Sequence, residues 1–237
     1  MDKKISVCLA SYNGEKYIRE QLASILKQLK ENDEIIVSDD GSTDCTLDVV
    51  RSFHDDRIKI YTNQGEHGYT KNFENALNHA EGDYIFISDQ DDVWRENKVE
   101  RCLEALKDHE LVIHDAAMTD ENLKVTAPSH FAKYHVEDGF WKTFLRTRYT
   151  GACMAFTRNF MLKRVLPFPK SQKYCPYDYW LAYLGLYYKE AIVLHESLIF
   201  YRRHEGTALN AGEYSTRTMW ERIYTRVYCM KEVLKRK

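Results

Sequence analysis

The chain has 237 residues, a formal net charge of −2 and 30% charged residues. That is long enough to bury a sizeable core, and the near-neutral balance excludes a global field that would draw nucleic acid or an acidic substrate. Aromatic residues make up 13%, including 17 Tyr, concentrated in the second half. Six scattered Cys (8, 45, 102, 153, 175 and 229) show neither C-x-x-C nor Cys/His zinc spacing, so small buried thiols are expected rather than a disulfide framework.

In chain order, basic residues precede a short apolar run, ISVCLA (5–10), closed by Ser-Tyr-Asn-Gly. The run is too short for a leader's apolar region and reads as a first strand. Apolar positions Ile18, Leu22, Ile25, Leu26 and Leu29 follow helical spacing within 15–29. EIIVSDD (34–40) predicts a second strand ending in acid. Ser42 or Thr43 with Asp44 supplies caps for the helix after it. RIKIYTN (57–63) predicts a third strand, 70–80 a helix, YIFIS (84–88) a fourth strand, 96–107 a helix and LVIHDAAM (111–118) a fifth strand. Strands alternating with helices predict βαβ units and a mostly parallel sheet, an α/β fold. No dinucleotide fingerprint and no P-loop is present. From 121 to 150 the pattern weakens to loop with short helical pieces. YTGACMAFTR (149–158) predicts a strand returning to the core, WLAYLGLYY a helix and 192–204 a strand. No linker divides residues 1–216, which read as one domain of two halves, 1–118 and 119–216. Residues 217–237 predict an amphipathic helix with seven basic and two acidic residues. No segment has the length of a membrane span.

Two acid clusters fall where strands end: Asp39 and Asp40 after the second, and Asp89, Asp91 and Asp92 after the fourth. Open α/β sheets bind ligands beyond the carboxyl ends of their strands. A helix cap needs one carboxylate, and three within four positions repel. A divalent cation removes the repulsion. Asp89 and Asp91, two apart in an extended segment, face one side, and hard oxygen donors suit Mg2+ or Mn2+ that keeps open positions for phosphate.

SVCLASYNGEKYI, IIVSDDGSTD, NQGEHGYTKNFENAL and GDYIFISDQDDVWRENKVE together resemble the nucleotide-sugar-binding half of a family 2 glycosyltransferase with the GT-A fold. TGACMAFTR, PYDYWLAY, YRRH and a Gly-containing stretch after it are similar to the subgroup that includes bacterial rhamnosyltransferases. The resemblance runs from about residue 4 to 212. It implies an inverting, metal-dependent transferase that moves a sugar from a nucleoside diphosphate, dTDP-rhamnose or a UDP-hexose, to a saccharide or lipid-linked acceptor of a bacterial surface polysaccharide. A cytoplasmic place is expected, and one peripheral at the inner face of the membrane if the terminal helix meets lipid. The resemblance assigns Ser11, Tyr12 and Asn13 to the nucleotide pocket and Asp39 to the base. Asp91 is assigned to the metal, Asp89 to the ribose or the metal, with Asp92 a neighbour able to share that task. Asp178 is assigned as general base, and His204 as a further metal or diphosphate contact.

Other roles stay open. Asp178 precedes a helical run and could serve only to cap it. Arg202 and Arg203 fit diphosphate contacts or solvated strand-end charges. Tyr177, Tyr179 and Trp180 fit a sugar platform or the core. The apolar side of the terminal helix, with Trp220, Ile223, Tyr224, Val227 and Met230, fits an anionic membrane surface or packing on protein. Rival functions are a nucleotidyltransferase, which lacks its Gly-rich N-terminal loop here, a phosphoryl-transfer protein with an aspartyl nucleophile, and a degenerate binder of nucleotide sugars without turnover.

Overall fold

Strands buried on both faces need continuous apolar runs with helices covering each side, and the first half of the chain supplies both. The computed structural model describes residues 3–204 and 217–236. In chain order the first half contains β1 (Ile5–Ser11), α1 (Ile18–Leu26), β2 (Glu34–Asp39), α2 (Thr46–Arg51), β3 (Ile58–Thr62), α3 (Tyr69–His79), β4 (Tyr84–Asp89), the two-residue β5 (Val93–Trp94) and α4 (Lys98–Ala105). The second half contains β6 (Leu111–Thr119), β7 (Val125–Ala127), α5 (His130–Tyr134), α6 (Phe140–Leu145), β8 (Met154–Thr157), the short α7 (Arg158–Phe160), α8 (Tyr177–Tyr187), β9 (Ala191–Arg202) and α9 (Met219–Leu234).

One sheet runs β3-β2-β1-β4-β8-β6-β9-β5, with β7 beside β6. Strands β3, β2, β1 and β4 are mutually parallel. Then β8 enters antiparallel between β4 and β6, and β9 runs parallel to β6. The alternation along each strand separates two cores. Val7 and Leu9 of β1, Ile35 and Val37 of β2 and Phe86 of β4 pack under Ile18, Leu22 and Ile25 of α1 and Val99 and Cys102 of α4. Cys8, Ile36, Ile85 and Ile87 face the other way, against Phe73 and Leu77 of α3 and Trp180 and Leu184 of α8.

The order expected from the sequence is present, with helix ends displaced by one to three residues. The weakly patterned stretch holds β7, α5 and α6. Two short strands were not foreseen, β5 and β7. The Gly-containing stretch after YRRH lies outside the described residues. All six cysteines are unpaired and only Cys45 is exposed.

Candidate active site

The parallel register brings the ends of three strands level: Ser11 pairs with Asp39, and Ala10 with Asp89. Three loops therefore leave the sheet side by side, and each is braced by its neighbours.

The Ser-Tyr-Asn turn is held from two sides. Asn13 adopts a left-handed φ of 46°, a conformation Asn tolerates. Its N–H donates to Ser42 Oγ at 2.9 Å, and its Oδ1 accepts from Thr43 N at 2.8 Å. On the other side, Gln90 exchanges two hydrogen bonds with the backbone of Tyr12, each 2.9 Å. A Cβ on Gly14 would lie 2.1 Å from the Gln90 amide oxygen, so this close approach requires glycine. The Tyr12 ring is exposed.

Asp39 turns its carboxylate into its own loop. Oδ1 accepts from Ser11 Oγ at 2.8 Å and Ser42 Oγ at 2.6 Å, and Oδ2 from the N–H groups of Ser42 and Gly41. Asp40 accepts from Asn63 Nδ2 and Gly68 N and lies 3.1 Å from His67 Nδ1. Asp44 bonds Thr46 N and Glu15 N; the cap position of α2 is Cys45.

The third loop carries the acids. Gln21 of α1 fixes the end of β4, its Nε2 donating to Ser88 Oγ at 2.7 Å and to the Asp89 carbonyl at 2.9 Å. Burial, then the charges of Asp91 and Asp178, push the Asp89 carboxyl up to about 7. Asp91 Oδ2 lies 2.9 Å from His204 Nε2, and the His204 ring sits against Tyr17, with centroids 4.5 Å apart. Asp92 is buried. Its Oδ1 accepts the backbone N–H of Arg202 at 3.0 Å, while its Oδ2 has no hydrogen-bond partner among the described residues. Burial, then Asp91 and Asp89, push its carboxyl well above the usual range.

Asp178 arrives from α8, in the second half of the chain. The cap of α8 is Pro176, so Asp178 is not the N-cap residue, although its Oδ1 accepts from the next N–H, Tyr179, at 2.9 Å. Burial raises its carboxyl to about 6, while its bonds to the backbone and the charge of Arg217 pull the other way. The residue before it spans the gap: Tyr177 is buried against Phe73, with its hydroxyl 3.5 Å from Asp89 Oδ1. Asp89, Asp91, Asp92, His204 and Asp178 are thus brought to one end of the sheet.

Two residues with open roles are placed by the structure. Trp180 is not a sugar platform: it is wholly buried, and its indole N–H donates to the Val165 carbonyl at 2.9 Å. In a helix apolar on nearly every side, it turned to the sheet. The Arg202 guanidinium is engaged with protein groups. It pairs with Glu20, donates to the Glu121 carbonyl at 2.8 Å and stacks over Tyr17 at 4.7 Å. The part of Arg202 that serves the acid loop is its backbone N–H. Arg203 donates its own N–H to the Thr119 carbonyl.

Sequence reasoning missed three contributors. Gln90 and Gln21 brace the acid loop. Lys98 is fully buried, donates to the Ala152 carbonyl at 2.8 Å and lies over the Trp94 ring. Burial pulls its ammonium pKa down, and the nearby Asp92 and Asp89 oppose that shift. The glutamine between the acids of D-x-D was the available signal for Gln90; nothing in RENKVE marks Lys98 as buried.

The donor set can be tested against a divalent cation. Among the described residues no group of three or more His, Cys, Asp and Glu is arranged to hold a metal by itself. Asp91 with the His204 imidazole beside it, and Asp89 two positions before, supply a partial set of mostly hard donors. Such a set fits Mg2+ or Mn2+ that takes its remaining ligands from phosphate and water.

A family model described as glycosyl transferase family 2 matches residues 6–166, more than half of the chain. The chain belongs to glycosyltransferase family 2. It is 40% identical over 99 residues to the UDP-Glc:alpha-D-GlcNAc-diphosphoundecaprenol beta-1,3-glucosyltransferase WfgD of Escherichia coli, covering 42% of this chain and 39% of that protein. It is 37% identical over 105 residues to the dTDP-rhamnosyl transferase RfbG of Shigella flexneri, covering 41% and 36%. The chain thus spans about two fifths of the length of these curated relatives. The structure of Staphylococcus aureus TarS 1–349 in complex with UDP-GlcNAc superposes with a TM-score of 0.68 at 23% identity, covering 86% of this chain and 60% of that one. This family 2 member therefore has the GT-A fold, a mixed α/β architecture around a mostly parallel sheet.

Proposed function

We propose that the protein is an inverting glycosyltransferase that takes a sugar from a nucleoside diphosphate. The observation that carries this reading is the meeting of two acids from opposite halves, Asp89 at the end of β4 and Asp178 at the start of α8, joined through Tyr177. Family membership supplies the donor class.

In this reading the donor nucleotide lies along the turns of Ser11, Tyr12, Asn13 and Asp39, with its base and ribose against the loops that Gln90 ties together. Asp91 and Asp89, with His204, would hold a divalent cation at the diphosphate. A bound Mg2+ or Mn2+ supplies Lewis-acid stabilisation of the charge that develops on the leaving phosphate oxygen. Asp178 takes the proton of the acceptor hydroxyl as its oxygen bonds to the sugar C1 and the C1–O bond to the diphosphate breaks. The transition state has oxocarbenium character. Attack from the acceptor side, opposite the leaving group, inverts the anomeric centre. A pKa of about 6 for Asp178 leaves it mostly ionised at neutral pH yet basic enough to accept a proton.

Among donors, UDP-hexoses are favoured over dTDP-rhamnose: of the two relatives, the one named for UDP-Glc has the higher identity. The acceptor is a saccharide, lipid-linked as in the name of WfgD, in assembly of a bacterial surface polysaccharide. Release of nucleoside diphosphate from UDP-glucose, UDP-N-acetylglucosamine and dTDP-rhamnose, each with Mn2+, tests the reading. Turnover of one donor supports it. If every donor stays intact while a nucleoside diphosphate still binds, the degenerate-binder reading replaces it.

A further inference from the structure

The C-terminal helix packs with the side opposite to its main apolar stripe. Thr225, Cys229 and Val233, four apart, are its buried positions, and Cys229 and Val233 join the core beneath α8. Trp220, Ile223, Tyr224, Val227 and Leu234 are exposed, Trp220 at 75% and Val227 at 59%. At 3.6 residues per turn these five fall within an arc of about 100°. A second apolar stripe adjoins. Trp141 and Leu145, one turn apart on α6, are 72% and 65% exposed. The Arg226 side chain of α9 ties the two helices, donating to the Phe144 carbonyl at 2.7 Å and to the Leu145 carbonyl.

The rim is basic. Lys142, Arg146, Lys231 and Lys235 are exposed around these stripes. Both acids of α9 are already engaged: Glu221 closes a capping box with Thr218, and Glu232 pairs with Lys235 at 2.6 Å. Lys142 is paired with Glu137 at 2.8 Å, a surface pair of small worth.

We propose that the outward faces of α9 and α6 form a docking surface for an anionic lipid bilayer. Trp and Tyr favour the interfacial zone, aliphatic side chains enter its acyl boundary, and Lys and Arg meet acidic headgroups. A second copy is the poorer occupant, because a two-fold contact through this face would oppose like charges. No helix among the described residues is long and apolar enough to cross a membrane, so the contact is peripheral. Arg217, just before α9, acts electrostatically on Asp178 and donates to the Lys173 carbonyl at 2.7 Å. The docking does not rest on the transferase reading.

Co-sedimentation of the full chain with phosphatidylcholine vesicles, with and without phosphatidylglycerol, tests the proposal. Binding to the anionic vesicles alone is expected, with a blue shift of tryptophan emission and weakening at high salt. The double variant Trp220→Ser, Val227→Ser should bind at least about tenfold more weakly. The single variant Lys231→Glu, made separately, should lose roughly fivefold or more. Both variants change exposed positions and should melt with the native protein. Should either misfold, the lipid and salt dependence of the native chain still decides. Binding to neither vesicle, binding indifferent to anionic lipid, or variants that bind like the native chain would overturn the proposal. So would a native dimer that Trp220→Ser, Val227→Ser makes monomeric. A nucleoside-diphosphate melting shift measured on the same samples reports separately on the transferase reading.

Discussion

The side chain of Gln90 pairs with the backbone of Tyr12 much as one strand pairs with another, giving and receiving one hydrogen bond, both 2.9 Å. The residue between two acids of the fourth-strand loop thereby sets the position of the first-strand turn. The Ser-Tyr-Asn turn and the acid loop of the candidate site are tied directly to each other.

Gln90→Ala should separate them. The loss of two partly exposed hydrogen bonds costs about 1–2 kcal/mol of stability. The larger effect is on binding: the nucleoside-diphosphate Kd should rise on the order of tenfold as the Tyr12 turn loosens. Calorimetric titration beside a thermal melt checks both.

Asp178→Asn should lower transfer by on the order of 10²–10⁴-fold with donor binding retained. In the native protein the rate should fall as pH drops through about 6, tenfold per unit once the carboxyl is protonated. Stability follows the opposite course. A carboxyl whose folded pKa is raised from 3.8 to about 6 favours the fold when protonated. Its contribution is fully present below pH 3.8 and is lost as pH rises through 6. Asp178→Asn should therefore melt above the native protein at neutral pH and level with it near pH 4. A variant that melts lower at neutral pH would show that the carboxylate is structural.

The two neighbouring acids should part company. Asp91→Asn should remove metal-dependent nucleotide binding. Asp92→Asn should leave most of it, because an Asn oxygen still accepts the Arg202 N–H while the charge opposed by Asp91 and Asp89 is gone. Metal-dependent melting shifts of the two variants compare them directly. Equal losses would place Asp92 at the cation.

Trp180→Ala should cost about 3–5 kcal/mol of stability, read from denaturant unfolding. With cooling sufficient to keep the variant folded, its KM for acceptor should stay near native. A raised acceptor KM without destabilisation would restore the sugar-platform role.

The parallel half was legible because its strands are apolar runs that alternate with helices and end in polar turns. Asp89, Asp91 and Asp178 were legible by their place at strand or helix ends, the last through resemblance. What was hidden depends on partners far along the chain. Arg202 is drawn inward by Glu20, 182 positions away. Lys98 looks like any helix-start lysine, yet it is capped by the Ala152 carbonyl, 54 positions on. Trp180 sits in a helix too evenly apolar for one face to be chosen from spacing. The two-residue β5 has no periodicity to read. The terminal helix was recognised as amphipathic, but only its packing shows that Thr225, Cys229 and Val233 turn inward and leave Trp220 outside.

Melting curves of the full chain with UDP and dTDP, each with and without Mn2+, test the central claim most directly. A ligand that binds only the folded state raises the melting temperature by mass action. The account predicts a rise with one nucleoside diphosphate that needs the metal and disappears in Asp91→Asn. No rise with either nucleotide, or an equal rise without metal and in Asp91→Asn, would contradict it.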